Sequence, residues 1–80
     1  MVRVDPFAVE FSGNKSELKN AIESMYGVEE ASVSLQYENE MIHHETRLTF
    51  DITYDADMTD RTRLCNQILE LEGVSDVENA

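Results

Sequence analysis

Eighty residues with seventeen acidic and six basic side chains, a formal charge of −11, make one domain around one core; at this size folding buries about 60% of the surface the unfolded chain exposes. The negative surplus repels phosphate backbones and anionic lipid headgroups, so neither a nucleic acid partner nor direct membrane insertion is expected. The lone Cys65 cannot close an internal disulfide, "MVRVDPFAVEF" lacks the apolar run of a signal peptide, and no segment nears the ~20 apolar residues of a membrane span; the expected setting is cytoplasmic, as a free domain or as the cytosolic domain of a membrane protein.

After Pro6, "FAVEF" alternates apolar and polar residues and puts Phe7, Val9 and Phe11 on one face of a first strand. "SGN" breaks it. Asn14 followed by Glu17 fits a capping box, and Leu18, Ala21, Ile22 and Met25 fall at i, i+3, i+4 and i+7 of an amphipathic helix. Gly27 suits the left-handed residue that ends such a helix. "ASVSLQYE" then resumes strict alternation, with Ala31, Val33, Leu35 and Tyr37 expected to point inward from a second strand. "NEMIHHE" is polar enough for a connection, and "RLTFDITYD" places Leu48, Phe50, Ile52 and Tyr54 on one face of a third strand, antiparallel to the second. "DADMTD" lacks the central glycine and terminal glutamate of a calcium loop and reads as helix-capping residues. Leu64, Ile68 and Leu71, widened by Cys65 and Leu69, mark a second helix that Gly73 ends.

Gly27 and Gly73 lie 46 residues apart, and the same offset aligns Leu18 with Leu64, Asn20 with Asn66, Ile22 with Ile68 and Val28 with Val74. Two strand–helix–strand units in series give an α+β, ferredoxin-like βαββαβ two-layer sandwich, with an antiparallel sheet in the order 4-1-3-2. Residues 1–80 form one such domain, either a whole protein or a piece of a longer chain. Its last strand, expected from about Asp76, is short.

"AIESMYGVEEASVSL" is similar to the helix, "GV" and strand of heavy-metal-binding domains, but "GNKSEL" holds none of the cysteines that make their metal site, so neither metal nor cofactor is expected. Acylphosphatases share the fold and use an arginine in the loop after strand one, where "SGNKS" has only Lys15; an enzyme of that kind is the third reading, and no catalytic residue is assigned. RNA-recognition motifs stack bases on aromatic residues of the open sheet face, which here is expected to hold Ala8, Glu10, Ser32, Ser34, Gln36, Thr49, Asp51 and Thr53. In layout "FSGNKSELKNAIE" resembles ACT-like regulatory domains, including those similar to the cytosolic tails of MgtC-type membrane proteins. That resemblance implies a ligand loop in which Gly13 leaves amides near Asn14 to Ser16 open to a carboxylate and Lys15 adds charge.

The function expected is therefore a non-enzymatic regulatory or assembly module acting through sheet-edge or dimer contacts. The alternative is a sensor of a small anionic metabolite at Ser12, Gly13, Asn14, Lys15 and Ser16. A short last strand leaves part of strand one unpaired, which makes Phe7, Val9 and Phe11, with Val74 and Val77, the expected interface for a second copy or another protein. His43 and His44 beside Glu45 point to opposite faces of any regular strand and lack a third ligand, so they read as a solvated hairpin tip. Met41 and Ile42 cap the core or meet a partner, and Cys65 reads as a buried structural thiol.

Overall fold

The computed structural model describes residues 1–34, 40–42 and 45–79. In chain order these form β1 (Val2–Phe11), α1 (Lys15–Glu23), β2 (Val28–Val33), β3 (Glu40–Ile42), β4 (Glu45–Asp55), α2 (Arg61–Leu69) and β5 (Val74–Asn79). The sheet runs β2-β4-β1-β5 with every pair antiparallel, and the short β3 pairs with β4 beyond the end of β2. Counting β2 and β3 as one sheet position, this is the ferredoxin-like βαββαβ arrangement, with the two helices over one face.

The alternating strands and the helix stripes meet in a single core of Phe7, Val9, Phe11, Leu18, Ile22, Ala31, Leu48, Phe50, Ile52, Tyr54, Leu64 and Ile68. The duplication extends to individual hydrogen bonds. Asn14 and Asp60, 46 residues apart, cap α1 and α2 with their side chains. Past each helix the chain makes the same turn: Met25 N–H donates to Ile22 and Val28 N–H to Met25, as Leu71 does to Ile68 and Val74 to Leu71. Gly27 C=O then accepts from Asp55 N–H and Gly73 C=O from Ser12 N–H, both at 2.8 Å, tying each helix exit to the end of a central strand.

Four expectations change. β1 starts at Val2, well before Pro6, and pairs with β4 along its whole length. Proline is tolerated inside this strand because of which edge it faces. Met1 C=O accepts from Ala56 on the β4 side, whereas Ser12 N–H and Glu10 C=O bond Gly73 and Ser75 on the β5 side. Odd residues of β1 thus direct their backbone groups to β4 and even ones, Pro6 among them, away from it, so no β4 bond is lost. Second, "NEMIHHE" is not all connection: Glu40–Ile42 is a strand, with Ile42 opposite Glu45, because β4 reaches past Leu48 and offers its edge. Third, Leu69 is 42% exposed; about 100° round the helix from Ile68, it has left the core stripe. Fourth, β5 begins at Val74, two residues before Asp76. Leu35, Gln36, Tyr37, His43 and His44 lie outside the described residues.

Two carboxylates fasten the fold from the outside. Glu23 accepts from Ala31 N–H at 3.0 Å and from Lys19, and these bonds, the backbone one foremost, hold its carboxyl below the usual range. Asp55 is lowered likewise by Asp57 N–H and then by the chain's amino terminus. Both prefer the ionised form when folded, so their contribution is present above about pH 4 and is lost as pH falls through their depressed native values. The urea midpoint should drop on that acid limb, and Glu23→Gln should flatten the drop.

Candidate functional site

The loop after β1 borders a cleft lined by Phe11, Ser12, Gly13, Asn14, Glu17, Leu18, Leu71, Glu72 and Gly73, among others. Of the amides expected to be open near Asn14 to Ser16, that of Ser16 is taken, as are those of Glu17 and Ser12 on either side. Asn14 Oδ1 accepts from Ser16 N–H at 2.7 Å and Glu17 N–H at 3.1 Å, while Ser12 N–H is held by Gly73. The charged side chains in the lining are Glu17 and Glu72, and Lys15 is not in it. The loop forms where expected, with Gly13 at φ +112°, but its polarity opposes an anion.

The sheet edge is more telling. β5 pairs with β1 from Phe7↔Asn79 to Phe11↔Val74, so Phe7, Val9 and Phe11 already have strands on both sides and are buried in the core. Val74 and Val77 pack partly against that core. The open stretch is Val2–Pro6, beyond the last described residue of β5. There the backbone groups of Val2 and Val4 face away from β4, and their side chains, on the face without helices, are 55% and 60% exposed. The opposite side of the same strand carries a small polar network. Tyr54 O–H donates to Asp5, and Arg3 lies 3.8 Å from the same carboxylate. Burial, and then this bond, pushes the Tyr54 phenol above its ordinary pKa.

The other edges are acidic. Asp76 and Glu78 of β5 stand in register with Glu10 and Ala8, and β2 brings Glu29 and Glu30. Arg47 crosses the open face to reach Glu10 at 3.5 Å and Glu78 at 2.8 Å. None of the described residues of this face is aromatic, and no group of three or more His, Cys, Asp or Glu among the described residues could hold a metal ion. Cys65 is half-buried, its thiol pushed up by burial. No helix of the described residues is long and apolar enough to cross a membrane.

Sequence reasoning missed a second cleft, around the start of α2. It is lined by Arg3, Arg61 and Arg63, with Tyr54, Thr59, Asp60 and Gln67 among its other residues. Arg61 and Arg63 were visible as a basic pair in the first turn of a helix, but only the β1–β4 register, which sets Arg3 opposite Tyr54, brings the third arginine to them. No family model matches this chain, and neither a curated protein nor a solved structure matches it.

Proposed function

We propose that the domain is a non-enzymatic assembly module that pairs with a second copy of itself through the open half of β1. The observation that carries this reading is the overhang of β1 past the last described residue of β5, with Val2 and Val4 exposed beside backbone groups that no strand among the described residues takes up. An open edge of this kind templates strand addition. A two-fold axis through Val4 makes the sequence self-complementary: Val4 meets Val4 of the other copy, Val2 meets Pro6, and Arg3 meets Asp5. Pro6 accepts a bond through its carbonyl and has no N–H to leave unpaired. In this register Met1 of the other copy falls opposite Phe7, where Asn79 sits, so the exposed end of β5, held there by a 3.7 Å contact to Cys65, gives way.

Charge opposes association, since each copy carries −11, and salt screens that repulsion. Sedimentation should therefore show a dimer that tightens as ionic strength rises. Val4→Pro removes an edge donor without touching a β4 bond, and should leave a folded monomer. A wild type that stays monomeric at high concentration in both low and high salt contradicts the proposal.

A further inference from the structure

The geometry points to a binding site for a phosphate group in the cleft at the start of α2, independent of the edge reading above. Three of the chain's six cationic side chains, Arg3, Arg61 and Arg63, line this one cleft, in a protein whose surface is otherwise acidic. Arg61 and Arg63 have no ion-pair partner among the described residues, whereas Lys19 and Arg47 are engaged with glutamates. Arg3 alone of the three is partnered, at 3.8 Å from Asp5. Guanidinium forks match the oxygens of a phosphate in pairs.

The backbone adds donors. The Asp60 side chain caps only Arg63 N–H, at 2.8 Å, which leaves the amides of Arg61 and Thr62 at the positive end of a nine-residue helix. An independent observation comes from the cleft wall. Thr59 is 5% exposed and its Oγ1 has no hydrogen-bond partner among the described residues, and Gln67 Oε1 in the same lining is also buried and unpartnered among them. Buried polar atoms of this kind are normally satisfied. A phosphate oxygen can accept from Thr59, and a protonated phosphate oxygen can donate to Gln67; a carboxylate offers fewer oxygens to donors converging from β1, the loop and the helix. The cleft also carries Asp60 and Glu70, which favour a small or singly attached phosphate over a polyphosphate chain.

At the 46-residue offset Lys15 stands where α2 has Arg61 and Glu17 where it has Arg63, so the basic pair that opens α2 corresponds to a mixed pair at the start of α1. The test is a titration with inorganic phosphate, sodium chloride being exchanged out to keep ionic strength constant, followed by amide chemical shifts. Saturable shifts should be confined to Thr59, Arg61, Thr62 and their neighbours. The double variant Arg61→Ala/Arg63→Ala should weaken binding roughly tenfold or more, as expected for lost charged hydrogen bonds. Thr59→Val should weaken it severalfold while raising the thermal midpoint of the phosphate-free protein, because it removes an unpaired buried hydroxyl. Shifts that never saturate, or that persist unchanged in the double variant, overturn the site.

Discussion

Ile68→Ala should destabilise the domain by about 2–5 kcal/mol, and Ile22→Ala by a similar amount. Both side chains are fully buried in the one core, at equivalent positions of the two helices. Each truncation removes methyl and methylene groups and leaves a cavity against strands anchored on both sides, so the site can collapse only in part. A domain of this size has little more than a few kcal/mol in reserve; either variant should be largely unfolded at temperatures the wild type tolerates. Urea titration followed by circular dichroism reads the loss directly. Leu69→Ala, on the exposed side of α2, should cost far less, and equal losses at positions 68 and 69 would contradict the helix orientation.

Gly73→Ala should be nearly as damaging for a different reason. Gly73 has φ +87°, a region that strains any side-chain-bearing residue by about 1–3 kcal/mol. A Cβ there would also stand 2.6 Å from Ser12 C=O, a backbone atom that cannot swing aside. Relief would require parting Ser12 from Gly73 and breaking the 2.8 Å bond that starts the β1–β5 pairing. Gly13→Ala is the internal comparison. Its φ is also positive, but a Cβ meets nothing within 4 Å, so only the backbone strain remains. The unfolding midpoints should rank wild type, Gly13→Ala, Gly73→Ala in descending order.

Both predictions rest on features legible in the sequence. Period-2 alternation marked Phe7, Val9, Phe11, Leu48, Phe50, Ile52 and Tyr54 as inward-facing, and the repeated Leu, Ile and Gly spacing fixed the helices and the ferredoxin-like order. What the sequence hid depended on long-range pairing. Pro6 looked like the start of a strand, because whether a proline is tolerated inside one depends on which edge its nitrogen faces, and that is set by the partner strand. The open edge consequently lies at Val2–Pro6 instead of Phe7–Phe11. The loop at Gly13 offered an anion site only as the alternative reading, from its layout, and there the Asn14 side chain that caps the helix takes the amide of Ser16 and that of Glu17 beside it. The arginine cleft escaped notice because Arg3 and Arg61 meet only through the register that sets Arg3 opposite Tyr54.

The most direct test of edge pairing is amide hydrogen exchange at Val4. Its N–H faces away from β4, so in a monomer it is open to water, while those of Arg3 and Asp5 on the same strand point to β4. Exchange followed at low and high protein concentration, in high salt, should leave Arg3 and Asp5 protected throughout and slow Val4 only at high concentration. Val4 exchanging equally fast at every concentration, beside protected neighbours, would contradict assembly through this edge.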